Sequence, residues 1–315
     1  MENDETKIPQ LDKEGLSHKS VNLWQITWRR LFRRRSALVG MGILGLLVFI
    51  ALTAQWLAPY GFDEVLIGKE NVSSREKPCI HLLGCPADQP QHLAGIDGNV
   101  RDQYSRLLYG ARLSLMVGFS TVTFAIIIGT VLGAIAGYFG GWWDNIIMRF
   151  MDVLLAFPSL LLAIAIVTVL GPGLINALIA IGIVSIPAYA RVMRASVLTV
   201  REMEYVSATR ALGGSNMQIL FLRILPNALT PLIVQGTLGI ASAILDAAAL
   251  SFLGLGAQPP TPEWGSMLGA ERNQVFTAPH LVFYPGLMIM LTVLSFNLIG
   301  DGLRDALDPR LAHSS

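Results

Sequence analysis

Few residues of this 315-residue chain have the types and spacing that chemistry at a site requires. No G-x-x-x-x-G-K-[ST] phosphate loop occurs, so the chain is not expected to hydrolyse ATP itself. The five histidines fall in predicted loops and tails, without the spacing of a metal site or a catalytic constellation. The sequence therefore predicts a non-catalytic chain with no metal ligands and no cofactor of its own.

Two polar side chains, Asp246 and Asn297, lie within long apolar segments. An ionised carboxylate at the centre of a bilayer costs about 2.5–3.5 kcal/mol, so an intramembrane acid is a functional candidate. Asp246 and Asn297 are accordingly candidates for lining a translocation path, where Asp246 would meet an amine of the solute. Asp246 lies near one end of its segment, so the alternative is a carboxylate that reaches interfacial water or a structural partner.

The two cysteines, Cys79 and Cys85, both lie between the first and second apolar segments. A small disulfide is expected there if that loop lies outside the membrane, where the environment is oxidising. Two free thiols are the alternative. In either case the pair would act on the loop's structure and would carry no chemistry.

The composition indicates a membrane protein. Hydrophobic residues make up 53% of the chain and charged residues only 14%, against about 25% charged residues in soluble domains. The net charge of +1 gives no sign of nucleic-acid binding. Six segments have the roughly 20 apolar residues that a helix needs to cross a bilayer, which predicts an all-α, polytopic fold. The predicted spans are 37–59, 113–139, 152–170, 174–189, 229–253 and 281–303, with Gly171-Pro172-Gly173 between the third and the fourth.

The arginines predict the orientation, because basic residues beside spans favour the cytosolic side. They cluster before the first span and in the 190–227 connection, which places both termini and that connection in the cytosol. The predicted organisation is a basic cytosolic segment 1–36, a first transmembrane helix 37–59, an extracytoplasmic loop 60–110, a five-helix core 111–304 and a cytosolic tail 305–315.

Small residues recur at helix-packing spacing in the second span, at Gly129, Gly133 and Gly137. Lipid gives helices little hydrophobic reason to associate, so close backbone approach becomes important. We interpret this stripe as a tight helix–helix contact, in preference to a pore-lining surface.

The cytosolic loop 198–227 predicts two short helices. Thr199 with Glu202 resembles a capping box that starts the first helix, and Gly213-Gly214 ends it. Ser215 with Gln218 starts the second helix, and Pro226 closes it at the membrane entrance. Such mildly amphipathic helices bury one face against lipid headgroups or against a protein groove. The mixed charges and the lack of a large Trp/Phe/Leu face favour the protein partner.

The same loop resembles the EAA loop of binding-protein-dependent ABC importer permeases, a family with the type I ABC importer permease fold. That pattern reads Glu-Ala-Ala, three residues, Gly, then a spacer to Leu-Pro. The sequence departs from it at Ser207, where Glu is usual, and at Thr209, where Ala is usual, so a charged contact to the ATPase is either missing or moved to Glu204. The resemblance implies the ATPase-coupling residues Glu204, Tyr205, Ser207, Ala208, Leu212, Gly213, Leu225 and Pro226.

Residues 97–112, 246–268 and the ending FNLIGDGLRDALDPRL are similar to the dipeptide/oligopeptide permease "C" subunits of that family. The resemblance implies an inward permease of the prokaryotic plasma membrane for di- or oligopeptides, with nickel, glutathione or another small solute as the alternative. It also implies three kinds of partner, namely a homologous permease, two cytosolic ATPases that bind ATP, and an extracytoplasmic solute-binding protein. A secondary transporter and a membrane scaffold are the remaining alternatives, but neither an ion-coupling cluster nor an inverted repeat is evident.

Overall fold

The computed structural model describes residues 28–307, which form a helical bundle with no β-strand in that range. The predicted N-terminal segment before residue 28 and the tail beyond residue 307 lie outside the described residues. The helices in chain order are α1 (Arg35–Leu57), α2 (Gln103–Phe139), α3 (Gly141–Leu155), α4 (Ser159–Leu170), α5 (Leu174–Arg201), α6 (Glu204–Ala211), α7 (Asn216–Ile219), α8 (Leu225–Ala228), α9 (Thr230–Phe252), α10 (Trp264–Ala270) and α11 (His280–Leu307). A π-helical turn, Leu220–Ile224, joins α7 to α8, and 3-10 turns lie at His81–Leu83 and Arg272–Gln274.

Five helices, α1, α2, α5, α9 and α11, are long and apolar enough to cross a membrane. The pair α3 and α4 forms a sixth crossing if the two helices are taken as one broken span. The predicted all-α, multi-pass membrane fold is therefore confirmed, and the chain is a multi-pass membrane protein.

The predicted third span, 152–170, is wrong as a single helix. The structure has α3 starting at Gly141 and ending at Leu155, and α4 bends away from it by 92°. Pro158 is the N-cap residue of α4, because its ring has no N–H to donate and clashes with the preceding turn of a continuous helix. The Gly-Pro-Gly break between α4 and α5 lies where the sequence predicted it.

Two other helices extend far beyond their predicted spans. Helix α2 begins at Gln103, inside the predicted loop, because the Asp102 side chain caps it by accepting a hydrogen bond from the Ser105 N–H at 2.7 Å. Helix α5 continues to Arg201, twelve residues past the predicted end, since arginine is a good helix former. The predicted cap at Thr199 is wrong, because its Oγ1 donates back to the Ala195 carbonyl oxygen within α5.

The glycine stripe lies against α5. A side chain at Gly129 would collide with Tyr189, one at Gly133 with the Ala190 carbonyl oxygen, and one at Gly137 with the Arg194 carbonyl oxygen. The two backbones therefore approach as closely as the stripe allows. This contact holds α2 and α5 together as the central pair of the bundle.

The bundle has two different ends. We call the end formed by residues 60–102 and 254–280 the loop end, and the end formed by residues 202–229, between α5 and α9, the elbow end. Helices α1 and α9 run from the elbow end to the loop end, and α2 and α11 run back.

Candidate functional site

The elbow, residues 202–229, consists of α6, a glycine turn and the continuous helical segment from α7 to α8. Gly213 has a φ of +84°, a left-handed conformation that ends α6, as the two glycines predict. The Ser215 side chain then caps α7 by accepting from the Gln218 N–H at 3.3 Å, also as predicted. Pro226 does not close this second helix, contrary to prediction. It occupies the second position of α8, where its missing N–H is tolerated because the π-helical turn before it shifts the hydrogen-bond register.

Three hydrogen bonds attach the elbow and the end of α5 to the end of α2. The Tyr138 hydroxyl donates to Asn216 Oδ1 at 3.0 Å. The Arg201 guanidinium donates to the carbonyl oxygens of Gly137 and Tyr138, at 3.1 and 3.3 Å. These bonds join the elbow and the end of α5 to the last turn of α2.

The elbow has one buried and one exposed apolar face. Val206, Ile219, Leu220 and Ile224 are buried against the bundle. The opposite face shows apolar side chains to the surroundings, and Leu212, beside the glycine turn, is 88% exposed. The other exposed apolar residues of the elbow are Met203, Tyr205, Met217, Phe221 and Leu222. Exposed apolar side chains in this number are typical of a surface that a protein partner or lipid covers.

The predicted coupling residues lie mostly on this open side. Glu204, Tyr205, Ser207, Ala208, Leu212, Gly213 and Pro226 are exposed, and only Leu225 is half-buried. The structure thus brings the predicted set together on one short, accessible segment.

The two predicted path residues are not brought together. Asp246 is half-buried on α9 near the loop end, two residues before Ala248, which packs against Gly265 of α10. Asn297 is exposed on α11 towards the elbow end, beside Ser295 and Leu298, which contact Gly40 near the start of α1. Within residues 28–307 neither side chain makes a hydrogen bond or an ion pair.

The loop end contains buried charged groups that sequence reasoning did not single out as sites. The imidazole of His92 lies between Asp102, at 2.8 Å, and Glu70, at 3.1 Å. Burial lowers the pKa of His92, but hydrogen bonds and charge from Asp102 and Glu70 outweigh it, so the pKa is raised overall. The partners are 10 and 22 residues away in an irregular loop, so no spacing in the sequence indicates the cluster.

A second group at the loop end joins the two loops. Glu271 accepts from the Arg75 guanidinium and from the Gly98 N–H, both at 2.9 Å. Glu263 caps α10 by accepting from the N–H groups of Gly265 and Ser266, and burial raises its pKa. The structure also places Cys79 and Cys85 in a disulfide, with Cα atoms 5.4 Å apart.

Known proteins resemble the chain over nearly its whole length. It is 50% identical to the dipeptide transport system permease protein DppC of Alkalihalophilus pseudofirmus over 294 residues, which cover 93% of this chain and 92% of the relative. It is 49% identical to the di/tripeptide transport system permease protein DppC of Pseudomonas aeruginosa, over 91% of this chain and 92% of the relative. The glutathione transport system permease protein GsiD of Pectobacterium atrosepticum is 45% identical over 91% of each chain.

Solved structures share the fold. A chain of the MetNI methionine ABC transporter, in an inward-facing conformation, superimposes with a TM-score of 0.53 at 19% identity, covering 64% of this chain and 97% of that one. Sequence profiles agree with this likeness. The N-terminal TM domain of oligopeptide transport permease C matches residues 22–78, and the binding-protein-dependent transport system inner membrane component matches residues 129–313. With fold and sequence in agreement, the chain belongs to the family of binding-protein-dependent transport system inner membrane components, the membrane permease subunits of ABC importers.

Proposed function

We propose that this chain is the non-catalytic permease subunit of an importer for di- or oligopeptides, driven by separate ATPases that dock on its elbow. The exposed apolar face around Leu212 carries the proposal. An exposed leucine at the end of a short polar helix, with further exposed apolar side chains in the same elbow, fits a groove on a protein partner. The relatives named for dipeptides and di/tripeptides support the substrate class.

The proposed orientation has the elbow and both termini in the cytosol of a prokaryotic cell and the loop end outside. The arginines of the elbow side support it through the positive-inside rule. A disulfide in the 60–110 loop fits the oxidising exterior. In this arrangement an extracytoplasmic solute-binding protein meets the loop end, two ATPases meet the cytosolic side and a homologous permease completes the path.

The proposed mechanism is alternating access. Approach of the two ATPases pulls the elbow, and the bonds from Asn216 and Arg201 pass this movement to the end of α2. Because the glycine stripe locks α2 to α5, the pair moves as one body, and the path opens on one side while it closes on the other. The chain's own residues transmit force and form the path, and the partner subunits hydrolyse ATP.

Glutathione is the second candidate substrate, since relatives at 45% identity are named for its transport. The two substrates are compared by measuring the uptake of a labelled dipeptide and of labelled glutathione. The complete complex is reconstituted in proteoliposomes for this measurement. We expect ATP-dependent uptake of the dipeptide in preference to glutathione, and the reverse preference would assign the alternative.

The docking surface is tested by Leu212→Asp. A carboxylate at this exposed position leaves the fold intact but cannot enter an apolar groove. We expect the ATPase subunits no longer to co-purify with the chain, and dipeptide-stimulated ATP hydrolysis to be lost. Leu82→Asp is the matched control, because Leu82 is also almost fully exposed but lies at the loop end. Normal co-purification and stimulation in the Leu212 variant would contradict the proposed docking.

A further inference from the structure

An open, charged cleft of about 640 Å³ lies between α3 and α5. Its volume is within the roughly 300–1,000 Å³ of ordinary small-molecule sites. Three arginines and two aspartates line it, which gives a net charge of +1. The lining residues are Asp144, Asn145, Met148, Arg149, Asp152, Arg191 and Arg194.

The two walls of the cleft are held very differently. Helix α5 is fixed, because Gly133 and Gly137 pack on the backbone around Arg194. Helix α3 buries only Met151 and is joined to α2 through Gly140 and Gly141, both with positive φ and open space around them. The connection between α2 and α3 is therefore made of two glycines whose backbone conformation other residues rarely adopt.

Ion pairs cross the cleft from one wall to the other. Arg194 contacts Asp144 through two short hydrogen bonds, and Arg191 donates to Asp152 at 2.6 Å. The Arg191–Asp152 pair is half exposed on both sides, at 52% and 50%. Arg149 has no ion-pair partner in the described part of the chain. The cleft therefore contains Arg149, which has no ion-pair partner among the described residues, and the solvent-accessible Arg191–Asp152 pair.

The break between α3 and α4 indicates what this surface faces. Residues 156–158 interrupt the helix within the broken span. Interrupted backbone at membrane depth is tolerated only against protein or beside water, because lipid cannot satisfy its polar groups. The apolar side of α3, with Trp142, Trp143, Ile146 and Phe150 exposed, suits lipid. Its charged side lines the open cleft opposite Arg191 and Arg194 of α5.

We propose that this cleft is a binding station for a zwitterionic solute on the translocation path. The solute's carboxylate binds Arg149 and Arg191, and its ammonium group binds Asp152, which gives up its bond to Arg191. This inference rests on the proposed function and names the residues that receive the peptide. It also replaces Asp246 and Asn297, since each of those offers one polar group and the two lie towards opposite ends of the bundle.

Photo-crosslinking of a dipeptide tests the station directly. The probe is alanyl-photoleucine, whose side chain carries a diazirine, added with ATP to the complete complex in nanodiscs. We expect capture within residues 144–152 or 191–194, read by mass spectrometry, because contact with bound solute is needed for labelling. Arg191→Gln should lower that capture about tenfold, since it removes one of the two cations that bind the solute's carboxylate.

The matched control is Arg34→Gln. Arg34 pairs with Asp305 at 3.4 Å with almost the same exposure, 50% and 46%, but outside the cleft. Capture should be unchanged there. Unchanged capture in Arg191→Gln, or capture confined to the surroundings of Asp246 or Asn297, would overturn the station while leaving the importer assignment intact. Absence of ATP-dependent dipeptide uptake by the unaltered complex would instead overturn the proposed function, and the station with it.

Discussion

The two ends of the bundle are built in opposite ways. At the loop end, charged groups are buried and bonded to one another, as in the Arg101–Asp97 ion pair and the buried His92. At the elbow end, charged groups are on the surface and apolar groups are exposed, with Leu212 as the extreme case. Buried, paired groups fix one geometry, whereas an exposed apolar face is complete only with a partner.

This contrast separates internal stability from coupling. Residues of the loop end should matter for the folding of the chain by itself, and residues of the elbow should matter for its work with other subunits. Matched substitutions at the two ends can sharpen or break that division.

The largest difference is expected between Trp264→Ala and Phe221→Ala. Trp264 is fully buried over Gly110, and its indole N–H donates to the Leu107 carbonyl oxygen at 3.1 Å. Its removal should cost about 3–5 kcal/mol of unfolding free energy, since a large cavity remains. Phe221 is 57% exposed, so its removal should cost less than about 0.5 kcal/mol. Denaturant unfolding of the purified chain in detergent measures both, and equal losses would abolish the contrast.

A smaller difference is expected between two glutamates. Glu271→Ala removes the acceptor of both Arg75 and the Gly98 N–H, which should cost about 3 kcal/mol. Glu202→Ala removes an exposed partner of Arg201 in the elbow, worth less than about 1 kcal/mol. The same unfolding experiment applies. If the Glu202 variant were the less stable of the two, the loop end would not be the end whose residues stabilise the fold.

Two glycines with the same backbone conformation offer a third comparison. Gly95 and Gly213 have φ values of +82° and +84°, so alanine is strained at both. Gly213 has open space around it, whereas a side chain at Gly95 would meet the Glu76 carbonyl oxygen and His280. We expect a loss of about 1 kcal/mol for Gly213→Ala and about 2 kcal/mol for Gly95→Ala, by denaturant unfolding. Similar losses would show that the loop end relaxes as readily as the elbow.

The smallest effect concerns pH at the loop end. Because Glu70 and Asp102 raise the pKa of His92 in the folded chain, its protonation stabilises the fold. That contribution is complete below the unfolded pKa of about 6.5 and is lost as pH rises through the folded pKa. Tyr60, whose ring centroid lies 5.5 Å from that of His92, is the other titratable group beside it.

Melting of the unaltered chain and of His92→Asn, at pH 5.5 and pH 8, measures this contribution. The gain in stability towards pH 5.5 should be smaller in the variant. His81→Asn in the exposed 3-10 turn is the control and should behave like the unaltered chain. An identical pH response in the His92 variant would show that protonation of His92 does not stabilise the loop end.

The sequence by itself determined the membrane class, the Gly-Pro-Gly break, the glycine turn of the elbow and the Ser215 cap, because each depends on local composition or on a few neighbouring residues. It missed the break after Leu155, which Pro158 causes, and the length of α5, since arginines near a span end do not end a helix. Only the tertiary structure decided that Asp246 and Asn297 lie apart and that α3 and α5 form a charged cleft. Those relations join residues about 40 to 50 positions apart, and such pairings depend on how the helices pack rather than on any period in the chain.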